Sequence, residues 1–390
     1  MKQGHLDQMP DGNDPIEINA YDGIAHIPAQ DWDACAGSDN PFVSHAFLNA
    51  LEQSESASPH TGWSPYHLVA RDPDGRIVGC VPLYIKDHSY GEYVFDWSWA
   101  NWLHHHGKPY YPKLQCAVPF SPVTGPRLLT KDLRIAQALI HALLTIAKRS
   151  GVSSLHITFP NKEHAMQLEE HGFLLRQGYQ FQWINQGYAN FDDFLNTLAS
   201  RKRKQIKKER QSVADSGTTI DTLVGADITS RHWDDFYRFY LTTVDRKSAE
   251  AYLTRGFFEA LSGSSVQDKI VLMMAREGST PIAAAFNMLG TDSLYGRNWG
   301  AVKDVPFLHF EACYYRALDF AITHKLSRVE AGAQGEHKMG RGYMPTPTYS
   351  AHWIADPAFS RAVAHFLTQE QIMISQEISV LTELGPFKKE

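Results

Sequence analysis

The sequence predicts a mixed α/β fold of the α+β kind, two copies of one unit in which helices flank a mixed, largely antiparallel sheet. Three observations carry this. A helix followed by a hairpin occurs twice: Phe257-Phe258-Glu259-Ala260-Leu261 echoes Phe47-Leu48-Asn49-Ala50-Leu51 at an offset of 210 residues. Met274-Ala275-Arg276-Glu277-Gly278 echoes Val69-Ala70-Arg71-Asp72-Pro73 at an offset of 205. Each half then continues with an amphipathic helix and a strand, Leu133 to Ser150 then Ser154 to Phe159, and Pro306 to Lys325 then Ser327 to Ala331. A shared order of elements at near-constant offset marks a duplication.

Composition agrees with that size of fold. At 390 residues the chain has room for two or three domains, at roughly 100 to 200 residues each. Its 43% hydrophobic and 12% aromatic content describes cored globular units. The polar stretch Met1 to Pro15 has no secretory pattern and is expected to be disordered, and no apolar run approaches the ~20 residues of a membrane span. A cytoplasmic location is therefore expected. The cysteines, Cys35, Cys80, Cys116 and Cys313, are far apart and form no Cys-x-x-Cys, which argues against a disulfide framework and a zinc ribbon. They are expected as reduced core residues, and no metal centre is predicted.

Taken in order, the first strand is Ile16 to Asn19, and a helix capped by Ser44 runs to about Glu55. The strands Tyr66 to Arg71 and Arg76 to Ile85 flank Asp72-Pro73-Asp74-Gly75, whose proline and glycine suit a tight turn. By Leu155 and Val329 the offset between halves has fallen to 174, so the first half carries 31 extra residues, placed within Asp87 to Thr130. The expected division is a first domain over 16–189 with that insertion, a connecting helix over 190–217, a second domain over 218–355 and a helical tail over 356–390. This order of elements resembles the acyltransferase fold called GNAT.

The insertion is rich in aromatics and prolines, which exclude a helix and stiffen the chain; long loops of this kind are uncommon unless functional. It is expected to wall a substrate pocket, with Asp96, Trp97, Tyr111, Lys113 and Arg127 as its candidate binding residues. A packing flap is the plainer reading. His104-His105-His106 lacks a spaced partner for a metal and is expected at the surface or a pocket rim.

Asn190 caps the connecting helix, whose first turn carries Asp192 and Asp193. Farther along, Arg201-Lys202-Arg203-Lys204-Gln205-Ile206-Lys207-Lys208-Glu209-Arg210 holds seven bases and one acid; removing its +6 from the chain's −6 leaves −12 elsewhere. On a helix, at least one face must then be unpaired positive charge. A solvated interdomain helix is the plain reading; the sharper one is an anion grip using Arg201, Lys202, Lys204 and Lys208 on RNA backbone, a phosphorylated donor such as coenzyme A, or an anionic envelope precursor. No aromatics are interleaved, so phosphate contact is favoured over base reading.

In the second half, Asp245-Arg246-Lys247 ends a helix and Tyr252 follows on a loop, with Lys247 and Tyr252 as candidate substrate contacts. The strand Ser293 to Trp299 alternates so that Tyr295, Arg297 and Trp299 are expected on one face, lining a cleft. Arg297-Asn298-Trp299-Gly300-Ala301 approximates the Arg-x-x-Gly-x-Ala pyrophosphate signature, which works through backbone N–H groups at a helix start.

Everything converges on Gly332-Ala333-Gln334-Gly335-Glu336-His337-Lys338-Met339-Gly340-Arg341-Gly342-Tyr343-Met344-Pro345. Its glycines and proline are expected to leave no regular element, yet it carries an acid, an imidazole, an amine, a guanidinium and a phenol. Acyl transfer to an amine needs a base, oxyanion donors and an acid. Glu336 or His337 could serve as base, Lys338 with loop N–H groups as oxyanion donor and Tyr343 as acid, with Gln334 and Arg341 binding substrate. For Glu330, on the strand before the loop, an ion pair on the Arg328 side of the sheet is the expected role.

Five segments closely resemble the FemAB-like family of N-acyltransferases: Tyr111-Pro112-Lys113-Leu114, Val118-Pro119-Phe120 with Pro122 through Arg127, Tyr295-Gly296-Arg297, Phe307 through Glu311 with Tyr314-Tyr315, and Gly332 through Tyr343. The likeness covers about residues 16 to 370. Those bacterial proteins are also described as peptidoglycan biosynthesis or recognition proteins. The resemblance implies tandem GNAT-like units, as in Fem-type peptidyltransferases that add amino acids from aminoacyl-tRNA to cell-wall precursors, and the Arg201–Arg210 helix is similar to the basic helix entering their second unit. It departs at Lys247-Ser248-Ala249-Glu250, where the family often has a bulkier Lys-Trp, and in lacking the coiled-coil arm that some Fem enzymes use for tRNA. The implied function is an N-acyltransferase moving an acyl or aminoacyl group from acyl-CoA or aminoacyl-tRNA to an amine. The alternative is a non-catalytic binder of an anionic envelope or phosphate-bearing ligand.

Overall fold

The structure, a computed structural model, describes residues 15–246, 250–332 and 335–388, with the side chain of Glu336 also outside the description. The expected disordered terminus over 1–15 falls, but for Pro15, outside the described residues. In chain order the strands are β1 (Glu17–Tyr21), β2 (Trp63–Pro65), β3 (His67–Arg71), β4 (Ile77–Val81), β5 (Leu83–Lys86), β6 (Lys113–Cys116), β7 (Ser154–Thr158) and β8 (Leu174–Ile184). There follow β9 (Thr218–Val224), β10 (Ile270–Glu277), β11 (Thr280–Leu289), β12 (Ser293–Ala301), β13 (Arg328–Glu330) and β14 (Met344–Ile354). The helices are α1 (Ala29–Ala36), α2 (His45–Gln53), α3 (Trp97–His105), α4 (Leu133–Ser150), α5 (Lys162–Glu170), α6 (Phe191–Thr197), α7 (Ser200–Asp215), α8 (Ser230–Arg246) and α9 (Arg255–Ser262). A last group comprises α10 (Leu308–Phe310), a π-helical turn Glu311–Tyr315, α11 (Arg316–Thr323) and α12 (Pro357–Glu383). No described helix is long and apolar enough to cross a membrane.

Two compact units emerge, and their chain composition is discontinuous where contiguous segments were expected. Unit 1 takes residues up to Gly178 together with Pro347–Ser375; unit 2 takes Tyr179–Thr346 together with the chain from Gln376. The chain passes from one to the other inside β8, β14 and α12.

Within unit 1, β1, β3 and β4 form one antiparallel sheet, and β2, β5, β6, β7 and β14 pair in that order. The hairpin expected from Asp72 to Gly75 is present: the Arg76 N–H donates to Asp72 Oδ1 at 2.8 Å. Its second strand is cut at Pro82, which has no N–H to continue a ladder, so β4 pairs with β3 and β5 with β6. Helix α4 buries Ile135, Leu139, Ile140, Leu143 and Ile146 on one stripe, and the Asp132 side chain caps it at the Arg134 N–H. That stripe closes the unit 1 core with Leu68, Val81, Leu114, Leu155 and Ile157.

Unit 2 repeats the plan in the order β8-β13-β12-β11-β10-β9. By place in the sheet order β10, β13 and α9 answer β3, β7 and α2, as the repeat predicts, while β9, β11 and β12 answer β1, β4 with β5, and β6. The sixth strand is exchanged in sequence: β7 pairs antiparallel with the C-terminal β14 through Ser350–Ile354, whereas β13 pairs antiparallel with β8 through Gln182–Ile184. Trp183, Phe194, Ile206, Val271, Leu294, Tyr315 and Leu318 belong to the unit 2 core.

The structure corrects three local expectations. The insertion does hold a helix, α3, because every proline of the segment lies beyond it, from Pro109 onward. Part of it is also scaffold, since β6 is the counterpart of β12. The connecting helix is two helices, α6 and α7, and Leu198 between them has extended backbone. The glycine-rich loop contains a regular element, a 3₁₀ helix over Glu336–Arg341, with Gly335 and Gly342 just outside its ends. Glycines at the ends terminate a short tight helix without preventing it.

Candidate active site

In unit 2, β12 and β13 run parallel and pair only over Ser293–Tyr295 with Arg328–Glu330. Beyond Tyr295, β12 continues to Ala301 while β13 ends, so the strands part and the glycine-rich loop leaves from the fork. On its other edge β12 pairs with β11, where Asn287 faces Gly296 and Phe286 faces Asn298. Arg297 is therefore the extra residue of a β-bulge. The bulge advances the alternation by one, so Tyr295 shares its face with Asn298, and Trp299 goes to the opposite face. This corrects the expected single face of Tyr295, Arg297 and Trp299, which assumed an uninterrupted period of two.

The 3₁₀ helix brings His337, Lys338 and Arg341 together. Gly335, at φ +113°, leaves room for the imidazole of His337 to fold back over the backbone; a Cβ there would lie 2.5 Å from Cε1 of that ring. Nε2 of His337 is 2.9 Å from the Tyr314 hydroxyl. Arg341 is buried and fully engaged: Nε donates to the Tyr315 hydroxyl at 2.9 Å, Nη1 to the His337 carbonyl at 2.7 Å and Nη2 to Glu209 Oε2 at 2.8 Å. Its guanidinium also stacks 3.5 Å from the Phe310 ring centre. Glu209, the one acid of the basic block, additionally accepts from Gln205 at 2.9 Å and from the Tyr315 hydroxyl.

Lys338 is 2% exposed, and its ammonium donates to the Gly332 carbonyl at 2.8 Å. Among the described residues no carboxylate pairs with it. Burial, with the nearby Arg297 guanidinium, lowers it to about 8. Burial, Arg341 and Lys338 likewise lower His337, which favours its neutral imidazole. Cys313, in the π-helical turn beside Lys338, is raised by burial.

Tyr343 does not reach this cluster as a proton donor: it is fully buried in the unit 2 core and its hydroxyl has no partner among the described residues. Tyr314, which sequence reasoning passed over, is the phenol at His337; its signal was a Tyr-Tyr pair on the amphipathic helix. Glu330 pairs with Arg328 at 3.3 Å, as expected, while its second oxygen is buried with no hydrogen-bond partner among the described residues; burial raises its pKa. Tyr252 is half-buried before α9. Gln334 and Lys247, and the side chain of Glu336, lie outside the described residues.

Helix α7 packs beside the 3₁₀ helix. It buries Ile206, Glu209 and Val213 and leaves its other residues half-buried or exposed. Lys207 pairs with Asp192 at 3.0 Å, and Arg210 with Asp319 at 2.7 Å and Glu311 at 3.1 Å. Arg201, Lys202, Arg203, Lys204 and Lys208 have no acidic partner among the described residues, and Lys202 Nζ would lie 3.4 Å from a Cβ at Gly340. The block thus presents a cationic face that begins at the glycine-rich loop.

The Arg297–Ala301 segment does not fit a pyrophosphate cradle. It is strand throughout, its alanine stands one place early, and a Cβ at Gly300 would lie 2.2 Å from the Phe239 carbonyl carbon of α8. Gly300 serves close packing of helix on strand, not ligand approach.

Unit 1 turns most of its candidate residues inward. The fully buried Lys113 ammonium donates to Ser89 Oγ at 2.8 Å, Glu92 Oε2 at 2.7 Å and Asp96 Oδ2 at 2.5 Å. Asp96 also accepts from Tyr110 at 2.6 Å, and Ser89 meets the Tyr111 hydroxyl at 2.8 Å. Burial disfavours a charged Asp96, yet Lys113 holds it down to about 2, whereas burial pushes Glu92 up to about 7. The network fastens the insertion to β6 instead of presenting polar tips to a pocket. Arg127 is likewise buried, donating to the carbonyls of Thr158, Val123 and Pro126 at 2.9, 2.7 and 3.0 Å. Trp97 alone of this set is exposed, its ring 4.9 Å from that of Tyr90. His104 and His105, on α3, and His106, just beyond its end, are exposed.

The sequence matches a family described as peptidoglycan biosynthesis/recognition, FemAB-like, over residues 23–389. No curated protein matches it in sequence. Among solved structures, FemX is similar at a TM-score of 0.55 and 13% identity, over 87% of this chain and 99% of FemX. The C-terminal DUF2156 domain assigned to lysylphosphatidylglycerol synthetase in Agrobacterium fabrum gives 0.54 and 8%, over 89% of this chain and 97% of that one. L-PGS from Bacillus licheniformis gives 0.51 and 10%, over 85% and 98%. These likenesses are of fold, and the fold is the expected one: tandem GNAT-like units.

Proposed function

The chain belongs to the FemAB-like family of peptidoglycan biosynthesis/recognition, and we propose that it is an N-acyltransferase that moves an acyl or aminoacyl group to the amine of a cell-envelope precursor. The observation that carries the reading is Lys338, a buried ammonium held by a backbone carbonyl beside Arg297, at the fork between β12 and β13. A buried ammonium with no carboxylate partner among the described residues suits a site where negative charge appears on an oxygen during reaction.

In this reading the acyl carbonyl oxygen lies against Lys338, which stabilises the oxyanion formed when the amine attacks. His337, neutral and oriented by Tyr314, accepts the proton that the amine loses and returns it to the leaving oxygen or sulfur. Arg341, locked by Glu209, Tyr315 and Phe310, holds the turn on which both groups sit. For the donor, the misfit of Arg297–Ala301 to a pyrophosphate weighs against acyl-CoA held through that signature. The unpaired cations of α7 favour an acyl group carried on a polyanion, as in aminoacyl-tRNA.

Thermal shift with coenzyme A, acyl-CoAs and charged tRNA, followed by transfer of labelled acyl group to a muropeptide amine, tests this. A ligand at 100 times its dissociation constant stabilises by about 2.7 kcal/mol. Stabilisation by a charged donor with label transfer supports the proposal. Salt-dependent anion binding with no transfer from any donor overturns it in favour of the non-catalytic binder.

A further inference from the structure

Between Asp87 and His104, in the insertion of unit 1, no residue is both charged and exposed. The two acids of that stretch, Glu92 and Asp96, are buried against the Lys113 ammonium at 2.7 and 2.5 Å. The rings around them face solvent: Tyr90 is 56% exposed, Tyr93 37%, Phe95 61% and Trp97 38%. Tyr90 and Trp97 meet edge to face, with 4.9 Å between ring centres. Donors from elsewhere in the unit hold the backbone beneath these rings. The Tyr90 carbonyl accepts from Lys86 Nζ at 3.4 Å, that of Gly91 from the Phe120 N–H at 3.2 Å and that of Phe95 from Arg176 Nη1 at 2.7 Å.

We propose that the segment 90–97 is a membrane-surface docking loop, whose Tyr90, Tyr93, Phe95 and Trp97 side chains enter the headgroup layer of a phospholipid bilayer. Exposed aromatics gathered at one place mark an interaction surface, and tyrosine and tryptophan rings settle at the boundary between headgroups and acyl chains. Phe95, the most exposed of the four, has no polar atom to satisfy and suits the deeper, apolar side of that boundary. The phenols and the indole N–H keep polar tips for the wet side.

Area and charge favour a lipid surface over a protein partner. At roughly 150–250 Å² per aromatic side chain, the exposed fractions amount to about 400 Å², half of the ~800 Å² that each partner buries in a stable protein complex. A bilayer asks for a few rings and no complementary shape. With Glu92 and Asp96 turned to Lys113, docking desolvates no exposed charge, and the contact is independent of lipid charge and of salt. The anchored backbone presents the rings already ordered, which lowers the entropy lost on docking.

The experiment floats the full-length protein with phosphatidylcholine vesicles, and with vesicles that also contain phosphatidylglycerol, at low and high salt. Flotation needs no acyl transfer, so its outcome is separate from that of the proposed reaction. The expected result is association with both vesicles, unchanged by salt. Phe95→Ser with Trp97→Ser is expected to lower the partition coefficient at least ~tenfold. The backbone bonds of the loop survive this change, and an unaltered unfolding midpoint checks that they do. A second measurement stands without that variant: lipids brominated in the upper acyl chain are expected to quench tryptophan emission of the parent protein, and far less in Trp97→Phe, which still binds. Absence of association with either vesicle overturns the proposal. So does association confined to phosphatidylglycerol and lost in salt, which places the contact on a cationic surface. Unaltered partition of the double variant, or shielding of Trp97 by a soluble muropeptide without vesicle binding, overturns it as well.

Discussion

Nη2 of Arg341 donates to Oε2 of Glu209 across 2.8 Å, joining residues 132 positions apart. The contact is buried on both sides, and it ties the glycine-rich turn to the helix that carries the basic block. An acid in a run of bases, which a charge plot would read as dilution, is the anchor of the site.

Glu209→Gln keeps the shape but leaves the Arg341 guanidinium buried without its counter-charge. Removing one partner of a buried pair costs about 3–5 kcal/mol. Urea unfolding is expected to show a loss of that order, and a double-mutant cycle with Arg341→Met is expected to give a strong coupling. Additive effects would show that the pair does not hold the turn.

Lys338→Met removes the buried ammonium while preserving much of its volume. If it stabilises the oxyanion, kcat is expected to fall by roughly 10²- to 10³-fold. Donor KM and the unfolding midpoint should change little. Near-parental kcat would exclude Lys338 from the chemistry.

Arg201→Ala with Lys204→Ala and Lys208→Ala removes three unpaired cations from α7. Polyanion binding is expected to weaken at every salt concentration, and the slope of log K against log salt to become shallower by roughly 2, at ~0.7 per phosphate contact of a single strand. Fluorescence anisotropy with tRNA measures both. An unchanged slope would place the anion elsewhere.

Gly300→Ala forces a Cβ into the backbone of Phe239, at 2.2 Å. Overpacking of this kind costs about 1–3 kcal/mol. Denaturant melts should show unit 2 destabilised, and full parental stability would contradict the seating of α8 on β12.

Acid should loosen unit 1 through a pair of imidazoles. Nδ1 of His156 and Nδ1 of His352 are 2.7 Å apart, and burial lowers both, His156 to about 3 and His352 well below its usual range. The folded protein holds them neutral while the unfolded chain protonates them near 6.5. Their contribution is therefore complete above that pH and lost as pH falls below it, at about 1.4 kcal/mol per pH unit for each imidazole. Urea midpoints between pH 7 and pH 5 should decline, and less steeply in His352→Gln. Equal slopes would remove the pair as the cause.

Much of the fold was legible because it is written in local periodicity. The α4 stripe, the Ser44 cap, the Asp72–Gly75 turn and the repeated helix–hairpin order each depend on neighbours a few residues away. The candidate loop was legible by composition, since an imidazole, an ammonium and a guanidinium within five residues form an unusual density. The errors share one cause. Prolines were taken to govern the whole insertion when they govern only the chain beyond α3, and a period of two was carried through Arg297, where a bulge breaks it. Asp96, Lys113 and Arg127 were recognised as special without any sign that they satisfy one another or backbone carbonyls.

The amino-acid order by itself determined that the chain holds two related sheet-and-helix units, that a basic helix enters the second, and that a glycine-jointed turn with catalytic-type side chains follows a short strand at Ser327 to Ala331. Those properties arise from residues close in sequence, whose spacing sets period, caps and turns. Tertiary structure alone decided the exchange of β8 and β14 as sixth strands, the pairing of Arg341 with Glu209 and the burial of Tyr343. Each of these joins segments far apart in the chain, where side-chain partners are chosen by packing and by the cost of leaving a buried charge or hydrogen-bonding group alone.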